Sequence, residues 1–352
     1  MSRPGASDRD LLTASFRRDD RAIDAFRRWS RGIDWEGRLD DGAYDLLPAL
    51  HRNLRGLGHD DPLLPRLKGV ARKTWIENQR SRAELSSSLP SGGAPPLLAL
   101  PPTSLLFVGG TVVPRRRSLR FATRCEHAAR TIVELRERNW RPDGRRLPPP
   151  AWLDGYVRAT DHLPMRRGAD ERLSLTWRLE TWFGSRTEET WANAETVSLD
   201  GTSILVLRPT DALEFALRQP VPDRPLPWLA NALALASPAV DWSALRTVLA
   251  AEPLGPGQAT LVPVFDEILE PTGDALGDVL ASGATASERP AASPFVEPAR
   301  WAAGAWRRFR GSFGAATPWP HIAGQVPGYV VGRWHVARRR RAQAPWTSPE
   351  GR

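Results

Sequence analysis

The chain has 352 residues, 41% apolar and 25% charged, the balance of an ordinary globular protein with room for two or three structural units. No run approaches the roughly eighteen apolar residues of a membrane span, the charged start MSRPGASDRDLLTASFRRDDR is unlike a secretory signal peptide, and the single cysteine, Cys125, excludes an intramolecular disulfide, so a cytoplasmic location is the default expectation. The net charge is +9, with dense runs at Arg115–Arg117 and Arg338–Arg341 that suit either phosphate on nucleic acid or an acidic membrane, or simply a solvated surface.

Residues 8–90 read as helical. In DLLPALHRNLRGLG, Leu46, Leu47, Leu50, Leu54 and Leu57 recur at the spacing of one helix face. Gly58 ends that helix, and Asp60–Asp61–Pro62 opens the next by capping and by a proline near its first turn. In LLPRLKGVARKTWIENQRSRAEL the expected apolar stripe is Leu64, Leu67, Trp75, Asn78 and Leu85, with long basic residues opposite. LPSGGAPP, residues 89–96, breaks the pattern.

The next segment changes character. PLLAL reads as a buried strand and SLRFAT (118–123) as a second one. Leu119 and Phe121 take its apolar face, so Ser118 and Arg120 share the other. EHAARTIVELRERNW is a helix with Ala128, Ile132 and Leu135 as its stripe and Asn139 near its end, and RRLPPPAW is a proline-rich connection. ERLSLTWRLE (171–180) has strict period two: Leu173, Leu175, Trp177 and Leu179 face one way, and Ser174, Thr176 and Arg178 the other. In TVSLDGTSILVL, Asp200–Gly201 between alternating runs predicts a hairpin.

From 208 onward helices return. Asp211 followed by Glu214 resembles a capping box for DALEFALRQ, and PLPWLANALALAS and DWSALRTVLAAE are amphipathic. Residues 271–300, rich in Gly, Ala, Ser and Pro, read as a linker. The stretch 300–341 interleaves Arg with aromatics; as a helix, Trp301, Trp306, Phe309 and Phe313 would form a loose stripe beside Arg307, Arg308 and Arg310. No internal repeat is present. The expected organisation is an N-terminal helical region (1–90), an α/β (α+β) core (91–207), a C-terminal helical region (208–270), and a linker with an Arg/Trp-rich tail (271–352).

Motif chemistry is sparse. The six histidines (51, 59, 127, 162, 321, 335) lack metal-ligand spacing with Cys125 or with each other. Cys125 follows a basic residue at a helix start, a setting that lowers a thiol pKa, although a lone cysteine is more often plain packing. No P-loop, nucleophile elbow or dinucleotide fingerprint occurs.

Five phrases taken together carry a resemblance: LLPALHRNLRGLGHDDPLLPRLKGVARKTWIENQRSRAEL, TIVELRERNWRP, DHLPMRRGADERLSLTWRLE, LRPTDALEFALRQ and WLANALALASPAVDWSALRTVL. Over residues 35–250 the chain resembles the bacterial "uncharacterised nucleotidyltransferase" family, a branch of the nucleotidyltransferase-fold superfamily; the tail lies outside the resemblance. The resemblance implies an α/β core with a small mixed sheet flanked by helices. It also implies transfer of a nucleoside monophosphate from an NTP to an acceptor with Mg²⁺.

The family's pattern has a Lys–Gly or Gly–Ser type loop after the first strand to grip the triphosphate. An Asp-x-Asp pair on the second strand and a third Asp on a later strand hold the metals, because Mg²⁺ takes hard oxygen ligands. In this chain the loop falls on Pro101–Pro102, the Asp pair on Ser118 and Arg120, and the third Asp on Ser174. Every expected metal ligand is substituted. An arginine about 4 Å from a dication repels it by roughly 8 kcal/mol at an effective dielectric of 20, before relaxation. Two acids could stand in, Glu126 at the start of the following helix and Glu180 at the end of the LSLTWRLE strand, Glu180 lying far along the strand from Ser174.

The resemblance therefore implies a degenerate member, a pseudoenzyme that binds or scaffolds a protein partner and needs no cofactor. Arg115, Arg116, Arg117 and Arg120, beside Gly109–Gly110, form either a metal-free anion site or a solvated basic loop. Two rival expectations remain. One is an active transferase with an atypical site using Mg²⁺ and NTP; the other is a binder of nucleic acid or an anionic surface through the basic tail.

Overall fold

The structure is a computed structural model and describes residues 5–269 and 324–335, apart from 38, 91–94, 108–118, 145–146, 170, 200–201, 224, 237–238, 253, 256–257 and 259–260. Four helices come first: α1 (Ala6–Phe16), α2 (Asp20–Arg31), α3 (Asp41–Gly56) and α4 (Leu64–Ser88). The α/β segment follows as β1 (Leu97–Ala99), β2 (Leu119–Ala122), α5 (Cys125–Glu137), β3 (Arg141–Pro142), α6 (Leu153–Ala159), β4 (His162–Arg167) and β5 (Glu171–Thr176). It continues through α7 (Glu180–Phe183), α8 (Thr187–Asn193), β6 (Glu195–Leu199) and β7 (Thr202–Val206). Helices α9 (Pro209–Arg218), α10 (Leu226–Leu235), α11 (Trp242–Ala251) and α12 (Val262–Leu269) succeed it, and a further helix spans 324–335.

The strands make a seven-stranded mixed sheet in the order β3-β4-β5-β2-β1-β7-β6, flanked by helices, which is the α/β class read from the sequence. The β6–β7 hairpin forms in the predicted place, with Leu199 opposite Thr202; Asp200 and Gly201 lie outside the described residues. The chain divides into two compact units.

The first unit comprises Met1–Ser87, Leu98–Arg120 and Glu180–Glu288. Its helices follow from apolar periodicity: Ala22, Ala25, Phe26 and Trp29 bury one stripe of α2, and Leu46, Leu47, Leu50 and Leu54 one stripe of α3. Asp40 caps α3 by accepting from the Gly42 amide at 2.8 Å. At the other end Gly58 adopts φ +68° while the His59 amide reaches back to the Leu54 carbonyl at 3.0 Å, the left-handed stop expected of glycine. Buried Arg17 forks onto Asp19 and donates from Nη1 to the Glu267 carbonyl of α12 at 2.6 Å.

Helix α4 departs from expectation. Its buried residues are Leu67, Thr74, Asn78 and Leu85, whereas Trp75 is 62% exposed. At about 100° per residue, Thr74 lies within ~20° of Leu67 and Trp75 about 80° away. The indole therefore lies off the buried stripe, because angular phase and not apolar character decides which residues α4 buries.

The second unit comprises Ser88–Leu97, Phe121–Leu179 and Arg289–Arg352. Here β4 and β5 pair antiparallel from His162↔Thr176 to Arg167↔Glu171. Helix α5 buries Ala128, Thr131, Ile132 and Leu135, and Asn139, at φ +67°, turns the chain after it. The predicted strand 171–180 ends at Thr176, and the expected alternation breaks there too, because Thr176 is buried along with Leu173, Leu175, Trp177 and Leu179. The proline-rich connection runs into α6.

The helix at 324–335 packs on α6 through small residues. A Cβ at Gly155 would collide with the Gln325 carbonyl, one at Gly328 with the Trp152 carbonyl, and one at Gly332 would lie 2.6 Å from the Ala159 Cβ. Gln325 pins the contact, accepting from the Gly155 amide at 2.8 Å and donating to the Ala151 carbonyl at 3.0 Å. Tyr156 and His335 meet edge to face at 5.8 Å.

Candidate functional site

Strand β1 is wholly buried and delivers the chain to Pro101–Pro102, a cis peptide, and then to a short 3-10 turn at Thr103–Leu106. The Leu100 amide donates to the Arg120 carbonyl at 3.0 Å, and the Arg120 amide donates to the buried Thr103 hydroxyl at 2.7 Å. The loop expected to grip a triphosphate is therefore hydrogen-bonded to Arg120, the residue expected from the resemblance to stand in for the second metal-ligand Asp. Beside Thr103, the Ser104 hydroxyl is buried without a hydrogen bond.

Strand alternation puts Phe121 in the core and leaves Arg120 exposed on the other face, as its sequence position predicts. Its Nη1 donates to Gln219 Oε1 at 3.0 Å, just past the end of α9. Although the residue is open to solvent on one side, the protein packed around its guanidinium desolvates it and lowers it from its ordinary value, yet an arginine so high in pKa remains a cation at physiological pH. Gln219 is fixed as well, since its carbonyl accepts from Trp228 Nε1 and from Gln258 Nε2, both at 3.2 Å. Nothing near Arg120 in sequence points to Gln219, which lies 99 residues downstream.

Ser174 belongs to the second unit, where it sits opposite Pro164 in the β4–β5 pair, half-buried between the buried Leu173 and Leu175. Ser118 and the candidate anion-binding residues Arg115, Arg116 and Arg117 lie outside the described residues, as do Gly109–Gly110, the aromatic stripe 301–313 and Arg338–Arg341. Of the two acids considered as substitutes, Glu126 is exposed in the first turn of α5. Glu180 does not end a strand; it begins α7, exposed, because β5 stops four residues earlier. Cys125 is the first residue of α5 and is half-buried. Among the described residues no three His, Cys, Asp or Glu side chains come together as a metal site, and no helix is long and apolar enough to cross a membrane.

The densest polar cluster in the first unit is structural. Asp211 and Glu214 do not form a capping box, because α9 begins earlier, with Pro209 in its first turn, and both side chains turn toward Arg186. Arg186 donates to Glu214 Oε2 at 2.7 Å and to Asp211 Oδ1 at 2.9 Å, while Arg218 Nε donates to Glu214 Oε1 at 2.9 Å. Burial raises the Asp211 carboxyl above its ordinary value against the pull of Arg186 and Arg208. Burial alone would lower Arg186; its hydrogen bond and charge contact with Glu214, with Asp211 and Glu189 adding to them, raise it instead.

One open cleft of about 380 Å³ lies on the helical face of the first unit, with Trp35, Tyr44, Arg66 and Lys73 among its walls. The Arg66 guanidinium stacks over the Trp35 ring at 5.6 Å and also donates to the Trp35 carbonyl, so the cation is already engaged.

No family model, no curated protein and no solved structure matches this chain.

Proposed function

We propose that this chain is a nucleotidyltransferase-fold protein that no longer performs metal-dependent nucleotidyl transfer and acts as a binding or scaffold protein for a protein partner. The observation that carries the reading is Arg120. A cation occupies the strand position at which the family resemblance calls for a metal carboxylate, and it is tied to Gln219 and, through its backbone, to the Pro101–Thr103 loop. A guanidinium there attracts phosphate and repels Mg²⁺, and among the described residues no carboxylate pairs with it. The small mixed sheet with flanking helices supports the fold part of the reading without being specific to it.

The test has two parts. Titration calorimetry with ATP, with and without Mg²⁺, should give no metal-enhanced binding. Incubation with α-³²P-labelled ATP, GTP, UTP or CTP should give no metal-stimulated labelling of the protein or of general acceptors. Labelling that requires Mg²⁺ and disappears in Glu126→Gln or Glu180→Gln would overturn the reading in favour of an active, atypical site.

A further inference from the structure

Helix α4 is 25 residues long and buries only a narrow stripe, Leu67, Thr74, Asn78 and Leu85. On a helical projection these four fall within about 40° of one another, leaving two wide flanks. The flanks differ in charge. One carries Arg66, Lys73, Glu77, Arg80 and Glu84, with Arg80 paired to Glu84 at 2.9 Å. The other carries Lys68, Arg72, Trp75, Ile76, Gln79 and Arg82, and no carboxylate.

On this second flank Trp75 is 62% exposed and Ile76 50% exposed. Lys68 and Arg72 are exposed and Arg82 partly so, and none of the three makes an ion pair with a described carboxylate. The neighbouring helix adds to the positive field. His51 on α3 is held below its usual value by burial and then by the charges of Arg55 and Lys68.

We infer that this flank of α4 binds single-stranded nucleic acid, the phosphates running along Lys68, Arg72 and Arg82 and a base stacking on Trp75. Lys68 and Arg82 are fourteen helical steps apart, about 21 Å, the length of roughly six phosphates at the 3.4 Å spacing of a stacked strand. A row of unpaired cations around one exposed indole is the composition that sequence-tolerant strand binding uses, charge for the backbone and a π-face for any base. One indole and one isoleucine offer too little apolar surface to insert an amphipathic helix into a bilayer, or to form the largely apolar core of a protein interface. The inference does not depend on transfer activity at Arg120 having been lost.

The test uses the full chain and fluorescein-labelled dT12 and rU12, followed by anisotropy at 50 and 200 mM salt. Binding should weaken with salt with a logarithmic slope of about −2 to −3, as three or four phosphate contacts on a single strand require. Trp75→Ala should weaken binding about 5- to 100-fold with the salt slope retained, because only a base stack is lost. The triple variant Lys68→Glu, Arg72→Glu, Arg82→Glu should abolish binding. The exposed α2 variant Arg27→Glu, a charge reversal elsewhere, should change it less than twofold.

Thermal melts of each variant separate lost binding from lost folding, and Trp75→Ala serves alone if the triple variant does not fold. The inference is overturned if the wild-type chain binds neither oligonucleotide. It is also overturned if the α4 variants bind as well as wild type, or if binding disappears only on deleting residues 336–352. Binding to phosphatidylserine vesicles or to an acidic peptide without binding to either oligonucleotide overturns it too.

Discussion

Gly155→Ala tests the packing of helix 324–335 on α6 with a single methyl group. The added Cβ would collide with the Gln325 carbonyl oxygen and lie 2.8 Å from its carbon and 2.9 Å from the Tyr329 nitrogen. Carbon contacts are comfortable at about 3.5–4.0 Å and the carbonyl oxygen is nearer still than its carbon, so the helices must part by roughly 1.5 Å. Alanine itself favours a helix over glycine by about 1 kcal/mol. Against that gain stand overpacking of about 1–3 kcal/mol and the two Gln325 hydrogen bonds, each worth about 1 kcal/mol net. The net loss is about 2–4 kcal/mol, capped at the docking free energy of the helix if it detaches instead. Urea denaturation gives the total, and amide exchange over 324–335 distinguishes detachment from global loss. Gly69→Ala on α4, where a Cβ meets nothing within 4 Å, is the control and should stabilise by up to about 1 kcal/mol. If Gly155→Ala behaves like Gly69→Ala, within about 0.5 kcal/mol of wild type or better, the close helix crossing is not there.

Glu214→Gln should destabilise by about 3–5 kcal/mol in urea melts, because Glu214 is 1% exposed and its removal as a charge leaves Arg186 and Arg218 undercompensated. Asp211→Asn should cost clearly less: burial holds its folded pKa above its unfolded one, so its contribution to stability shrinks as pH rises from the ordinary carboxylate value through the raised one. His51 has a folded pKa below its unfolded value of about 6.5, so its contribution is full above that value and is lost as pH falls toward the depressed one. Chemical melts between pH 7 and 5 should therefore show a steeper loss for wild type than for His51→Gln. Arg120→Gln should lower stability by no more than about 1.5 kcal/mol, the range of one partly solvated hydrogen bond, and a larger loss would mean the guanidinium holds the loop together beyond its contact with Gln219.

Local periodicity carried most of what the sequence could tell. Two-residue alternation placed Phe121 in the core and Arg120 outside, Leu173 and Leu175 inside and Ser174 between them, and the Asp-Gly pair placed the β6–β7 hairpin. Trp75 escapes the pattern because α4 buries a stripe only one residue wide, on which phase outweighs hydrophobicity. Asp211 and Glu214 have the i, i+3 spacing of a cap, which is local, whereas their partner Arg186 lies 25 and 28 residues upstream. Gly328 and Gly332 stand four residues apart, but that spacing has meaning only against Trp152, Tyr156 and Ala159 of the distant α6 segment, which no local window contains. The bond from Arg120 to Gln219 was invisible for the same reason. Pairings across a hundred residues follow from tertiary packing, which propensity and period do not encode.

The crossing of α6 with helix 324–335 also sets a timetable for the growing polypeptide. The bond between Gly155 and Gln325 closes a separation of 170 residues. At about 5–20 residues per second of synthesis, α6 is made some 10–30 s before its partner exists. Throughout that interval its narrow glycine face has nothing to lie against, and the groove around Gly155 is open to any other helix with small residues four apart. The second unit is therefore completed only after the helix at 324–335 has been made. A ribosome that stalls or a chain that is cut before residue 324 would release a molecule whose sheet and α5 are in place but whose α6 is bare on one side.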